Sequence, residues 1–264
     1  MILPYFVQSP LLRAVPGVYH AFTGVDPVRG RGSRDRLRQV FSVPPSRLGT
    51  LRQVHSGTVR EMAETDCDVP GRRWREGDAL WTAVPGTGVG VRTADCVPIL
   101  LAHPDLPVCA AVHAGWRGMV AGVVGETVRA IAERFGSSAV GGLVAAAGPS
   151  AGGCCYEIGE EVASLLRGCP GGDRHLARKG EEGKWHADLR QIALEALFAA
   201  GISPGRVEAV GPCTVCSPRF HSFRREKSLT GRQLSFIYKW DFSREFTTPQ
   251  DRTPDEPAKN PHPD

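Results

Sequence analysis

The sequence predicts an α+β protein whose sheet is mixed or mostly antiparallel. Three observations predict it. Short apolar runs bounded by Gly, Pro and Asp crowd the middle of the chain, as buried strands do. Two later stretches carry apolar residues at helical i, i+3, i+4 spacing. Strands and helices intermix without the strict alternation of a parallel sheet.

The elements follow in order. Leu48 to Val54 alternates in polarity and reads as a strand ending at His55, where Ser56-Gly57 signals a turn. Gly88 to Thr93, Val97 to Ala102 and Val108 to His113 read as three buried strands. Val120, Val123, Val124, Thr127, Val128 and Ile131 then form one apolar helical face. Leu143 to Ala147 returns to strand, and Ile158 to Leu166 is helical. Leu189, Ile192, Ala193, Ala196 and Leu197 make another helical stripe, opened by Asp188 as N-cap and stopped by Gly201. Val207 to Val210 and Leu234 to Trp240 are late strands. Residues 1–246 form the folded domain. Residues 247–264 hold five prolines and no aliphatic side chain larger than alanine, which predicts a disordered tail.

Composition excludes several classes. With 41% hydrophobic and 23% charged residues the chain is an ordinary soluble globular protein. A net charge of +4 suits a small anionic substrate but falls short of a nucleic-acid footprint. No apolar run approaches the ~20 residues of a membrane span, and Met1 to Pro10 has neither the basic start nor the apolar stretch of a signal peptide. A cytoplasmic location is expected, with the eight cysteines as thiols or metal ligands. The arginine-rich stretch from Arg29 to Arg38 reads as a solvated loop leading into a short helix, with phosphate recruitment as the alternative.

Three residues carry chemistry that composition does not: His55, Cys96 and His113. Two imidazoles and a thiolate suit a borderline-soft cation, and three protein ligands leave the fourth tetrahedral position open, as in catalytic zinc sites. Cys96 and His113 are 17 residues apart, so neighbouring strand ends can present both at one sheet edge. His55 would come from a third strand end. Asp95, beside Cys96, is a candidate supporting or acid–base carboxylate, with Glu157 as a second. His113 opens Ala-Gly-Trp-Arg-Gly, whose small residues allow close approach of a ligand.

The segments Gln53-Val54-His55, Asp78-Ala79-Leu80, Thr93 to Leu100, Val112 to Gly118, Gly148-Pro149-Ser150, Cys155 to Gly159, Asp188-Leu189, Cys213-Thr214, Phe223 to Arg225 and Thr230 to Arg232 occur in that order. Together they resemble the YfiH-type laccase-domain family, once called polyphenol oxidases and now purine nucleoside phosphorylases. The resemblance covers about residues 18 to 240. It implies a single-domain layered α/β sandwich akin to the catalytic fold of cytotoxic necrotizing factor. It further implies one Zn2+ held by His55, Cys96 and His113. The implied activity is phosphorolysis of adenosine, inosine, guanosine or methylthioadenosine with inorganic phosphate, with adenosine deamination as a second reaction. Among arginines suited to phosphate (Arg117, Arg224, Arg225, Arg232), Arg117 and Arg225 lie in the closest matching segments, and with Asp95 they are the candidate catalytic residues.

Two departures stand out. His20 to Asp26 lacks the arginine usual after the first strand, and His221-Ser222-Phe223 replaces Phe-Ser-Tyr, removing a phenol hydroxyl. Two other chemistries compete. One is a cysteine hydrolase acting on cell-wall precursors, with Cys96 as nucleophile and His113 as base. The other is copper-dependent phenol oxidation, disfavoured because none of the eight histidines lies in a His-x-His pair. Cys213-Thr214-Val215-Cys216 could be redox-active or half of a second zinc site, but no partner pair stands at a suitable spacing, so two ordinary thiols are favoured, and Cys154-Cys155 reads as packing near a turn. His103, His175 and His186 read as surface or capping residues.

Overall fold

The computed structural model describes residues 5–25, 43–67, 75–179, 183–227 and 231–240. The Arg29 to Arg38 stretch and the 247–264 tail lie outside the described residues.

The fold is a stack of two sheets and a helical layer. The central sheet has six strands: β4 (Val59–Met62), β5 (Ala79–Thr82), β7 (Val97–Ala102), β8 (Cys109–Ala114), β9 (Val144–Ala147) and β13 (Val207–Ala209), in the order β13-β9-β7-β8-β5-β4. β7 runs antiparallel to both β8 and β9, whereas β4 with β5 and β13 with β9 pair in parallel. The sheet is therefore mixed. A second, five-stranded sheet contains β1 (Phe6–Val7), β2 (Val18–Thr23), β3 (Leu48–Gly49), β6 (Thr87–Thr93) and β14 (Gln233–Lys239), in the order β1-β2-β14-β6-β3.

Every residue of β7 and β8 is buried. Leu100, Ala102, Ala111 and Ala146 face the second sheet and meet Phe22, Val89, Val91 and Ile237. Ile99, Leu101, Ala110, Val112 and Ala145 face the helical layer. A strand covered on both sides reads as a continuous apolar run rather than an alternation, which is why these segments look uniformly apolar in the sequence.

The helical layer is α3 (Val123–Phe135) and α5 (Leu189–Ala199). α5 buries Leu189, Ile192, Ala193, Ala196 and Leu197, and the Asp188 carboxylate accepts the Gln191 N–H at 3.2 Å as its N-cap. The expected single helix from Val120 is instead two. The five-residue α2 (Trp116–Val120) stops at Gly122, whose φ of 74° is left-handed, and α3 begins afresh with Val123. Val120 is consequently 41% exposed, while Val123 to Ile131 form the buried face. α1 (Pro10–Arg13) is capped by Ser9.

A small sheet of β10 (Glu157–Ile158), β12 (Lys184–Ala187) and β11 (Leu176–Lys179) stands apart. Its strands are too short to register in the sequence pattern. α4 (Glu160–Arg167) follows β10, so the expected helix starts two residues later than its apolar spacing suggested. α6 (Phe223–Glu226) precedes β14. Among the described residues no helix is long and apolar enough to cross a membrane.

The two sheets approach closely at Gly148, where an added Cβ would lie 2.1 Å from the buried Phe22 ring. Overpacking of a filled core costs about 1–3 kcal/mol. Gly148→Ala is therefore expected to lower unfolding free energy by that amount in urea titrations. Val120→Ala, on an exposed side chain, is expected to change it by less than about 0.5 kcal/mol.

Candidate metal site

The register of the central sheet brings the first two ligands together. Val97 pairs with Ala114 and Pro98 with His113, so Cys96, one residue before β7, lies beside the end of β8. Between β6 and β7 the chain leaves the second sheet for the central one at Asp95, with φ of 89°. His55 does not arrive from a strand end. β3 stops at Gly49, Arg52 makes an isolated bridge to Glu76, and His55 sits in a bend with φ of 60°.

The ligand atoms of His55, Cys96 and His113 all lie within 4.8 Å of one another. Cys96 Sγ is 3.9 Å from His55 Nε2, and the two imidazole rings meet edge to face at 4.8 Å. Tetrahedral zinc with ordinary Zn–S and Zn–N lengths separates its donors by about 3.3–3.8 Å, so small side-chain shifts complete the set. Gly115 is required here: a Cβ on it would lie 2.9 Å from Cys96 Sγ and 3.2 Å from His55 Cδ2.

Asp78, immediately before β5, organises the site. It is fully buried. Its Oδ1 accepts the His55 N–H at 2.9 Å and meets His113 Nδ1 at 2.8 Å. Its Oδ2 accepts the Ser56 N–H at 2.6 Å and the Ser56 hydroxyl at 2.8 Å. Burial works against its charge, but His113 and the Ser56 donors outweigh burial and hold its carboxyl well below the usual range. Binding His113 through Nδ1 leaves Nε2 for a metal, the arrangement that fixes tautomer and ring orientation in many histidine metal sites.

The same network sets the protons. Burial opposes the charged forms of Cys96 and His113, yet each stabilises the other, and Asp78 adds to the effect on His113. The thiol is pulled down to about 6 and the imidazolium pushed up to about 9.

Asp95, also buried, accepts the Thr214 hydroxyl at Oδ1 (2.7 Å) and the Arg224 N–H at Oδ2 (2.8 Å). Its two oxygens thus anchor the loop after β13 and the start of α6. Arg225 donates to the carbonyls of Thr214, Val215, Ser217 and Phe220 and pairs with Glu226. Its guanidinium is engaged in bracing the loop rather than presented to an anion. Arg117 is exposed, with its guanidinium 4.2 Å from the Trp116 ring centre as its described contact. Arg224 donates to the Glu157 carbonyl and lies 4.3 Å over the Tyr156 ring. The Glu157 carboxylate faces Lys184 at 3.6 Å.

Sequence reasoning passed over Asp78 and Tyr156, although both stand in the segments that carried the resemblance. Burial and the nearby charge of Cys96 push the Tyr156 phenol up to about 12. His103 caps a turn, with Nδ1 accepting the N–H groups of Asp105 and Leu106.

Residues 22–239 match the family model described as multi-copper polyphenol oxidoreductase laccase. The chain belongs to this family. A protein from Deinococcus radiodurans named purine nucleoside phosphorylase is 35% identical over 248 residues, spanning 86% of this chain and 92% of its own. Adenosine deaminase RL5, from an unknown prokaryotic organism, is 32% identical over 226 residues, 83% of this chain and 85% of that one. The crystal structure of YlmD from Geobacillus stearothermophilus superimposes with a TM-score of 0.77 at 25% identity, covering 90% of this chain and all of that one.

A metal bound by these three side chains at neutral pH would displace the His113 proton but find the Cys96 thiol already pulled toward the thiolate. Apparent Zn2+ affinity is therefore expected to rise about tenfold per pH unit between roughly pH 7 and 9, then level off. Competition with a chelator across that range measures the slope; a flat profile contradicts it. Asp78→Asn removes the carboxylate that orients His113 and should weaken Zn2+ binding about 10–100-fold, measured by the same competition in protein that remains folded.

Proposed function

We propose that the chain is a zinc-dependent purine nucleoside phosphorylase acting on adenosine, inosine, guanosine or methylthioadenosine, with adenosine deamination as a second activity. The observation that carries this reading is the His55–Cys96–His113 set, built by three separate segments and locked by Asp78. Names of the relatives supply the substrate class. A Zn2+ held by His55, Cys96 and His113 would supply Lewis acidity to the reaction.

The surrounding residues take definite roles. Arg117 is the best placed arginine to receive inorganic phosphate. It directly follows Trp116 and Gly115, the latter packed on Cys96 and His55, and its described contact is an aromatic face rather than a carboxylate. A planar guanidinium binds oxyanions through paired donors. In phosphorolysis a phosphate oxygen bonds to C1′ as the bond from C1′ to the purine nitrogen breaks, and the departing base takes a proton. Tyr156, neutral and backed by Arg224, offers a ring to the purine and a hydroxyl to its polar edge. Asp95 and Arg225 act as positioning residues, because Asp95 holds Thr214 and Arg224 while Arg225 holds the 214–220 loop.

One observation favours a second reading, a cysteine hydrolase. The reactive atoms of Cys96 and His113 lie within 4.8 Å, and each favours the other's charged form, as a nucleophile–base pair requires. Phenol oxidation by copper has less support: the site gathers two histidines and one cysteine, far from a multicopper set.

Base release from adenosine and inosine, with and without phosphate, tests the proposal alongside zinc content. Wild-type protein should carry zinc at this site and release base only with phosphate. Cys96→Ala should lose that activity by at least about 100-fold together with the site's metal. Thiol-dependent amide hydrolysis by zinc-free protein, with no base release, would establish the hydrolase instead.

A further inference from the structure

Four cysteines outside this site converge, although the sequence favoured ordinary thiols for want of a partner pair at zinc spacing. Cys154 and Cys155 lie in the loop after β9, Cys213 and Cys216 in the loop after β13. β9 and β13 pair in parallel, so both loops leave the same end of the sheet. They continue side by side, with Thr214 N–H donating to Ser150 O at 2.9 Å and an isolated bridge between Ser150 and Cys213. The two pairs expected to be plain thiols are therefore one group.

We propose that Cys154, Cys155, Cys213 and Cys216 form a second, closed metal site holding one Zn2+ with a structural role. All four sulfurs lie within 4.8 Å of one another. Cys216 Sγ is 3.7 Å from Cys154 Sγ and 3.4 Å from Cys155 Sγ. Four thiolates at ordinary Zn–S length stand about 3.8 Å apart around a tetrahedral ion. Disulfide sulfurs are bonded at about 2.05 Å, and all eight cysteines here are free. Four soft donors in so small a volume select a single thiophilic ion of zinc type over hard cations.

The surroundings fit thiolate ligands. Cys213 Sγ accepts the Gly152 N–H at 3.3 Å, and the N–H groups of Val215 and Cys216 turn toward it as well. Lys179 Nζ donates to the Gly153 carbonyl at 2.6 Å, placing a positive charge beside the cluster. Loading replaces four S–H protons with one Zn2+, leaving a net charge of −2 that these donors and the lysine offset.

The ion would act as a clamp. One of its loops carries Tyr156; the other carries Thr214, which donates to Asp95, and three of the carbonyls that hold Arg225. Metal at the four cysteines thus fastens the wall next to Cys96 without joining the chemistry. The inference stands or falls independently of the substrate proposal, because its readout is metal and thiols rather than turnover.

Zinc content and Co2+ spectra of full-length protein, purified under reducing conditions and loaded with metal, test it. Wild type should hold about two zinc ions per chain and Cys96→Ala about one. The Cys96→Ala protein loaded with Co2+ should keep intense sulfur-to-cobalt absorption, and Cys216→Ser in that background should lose it. Should Cys216→Ser fail to fold, the Cys96→Ala spectrum still decides. Folded Cys96→Ala that retains no metal after desalting overturns the proposal. So does mass-spectrometric evidence that these four cysteines are paired as disulfides in metal-loaded protein.

Discussion

One buried carboxylate underlies the arrangement of the candidate site. Asp78 sits at the entry of β5, out of contact with solvent, where an unpaired charge would cost several kcal/mol. Donors from the 54–56 bend and from His113 surround it. The bend needs Asp78 to stay folded, since His55 occupies a left-handed conformation that an ordinary side chain adopts at a cost. Asp78 in turn needs the bend, whose N–H groups and hydroxyl make its burial tolerable. One interaction thereby positions the backbone of one ligand and the ring of another. Cys96 is placed differently, by the β7–β8 register and by the carboxylate of Asp95 next to it.

This difference explains how much was legible in the sequence. Cys96 and His113 follow from two adjacent antiparallel strands, a local relation that their spacing encodes. The α5 stripe and its Asp188 cap were legible for the same reason: periodicity and capping are properties of a short window. His55 was legible by residue type but not by conformation, because its backbone is set by a carboxylate 23 residues away. Asp78 was not legible as an organiser, since its role appears only when β5 pairs with β8. The break at Gly122 was hidden because apolar spacing continues across it.

The cysteines and arginines show the same limit from another side. Cys154 and Cys216 are 62 residues apart, and only the parallel pairing of β9 and β13 aligns their loops. Spacing rules that look for a second pair nearby cannot find such a group. Arg225 had the right charge and a well-matched segment, but charge in a sequence says nothing about which donors are already taken. Its guanidinium faces main-chain carbonyls on several sides. Arg117 has the same chemistry in a different setting, over an aromatic ring and open to solvent.

Asp95 ties these separate features into one mechanical unit. It stands where the chain passes from one sheet to the other, and the next residue is the thiolate ligand. Its carboxylate takes the Thr214 hydroxyl from the cysteine-bearing loop and the backbone N–H of Arg224 from α6, while its carbonyl accepts the Ala151 N–H from the loop after β9. Displacing any of these segments pulls on Asp95 and therefore on Cys96. Asp95 holds a positive φ of 89°, a conformation that costs an L-residue energy and that these partners hold in place. The placement of Cys96 is thus tied to loops that grip Asp95 rather than the thiol itself. Asp78 fixes the two histidines from one side, and the Asp95 network fixes the thiolate from the other.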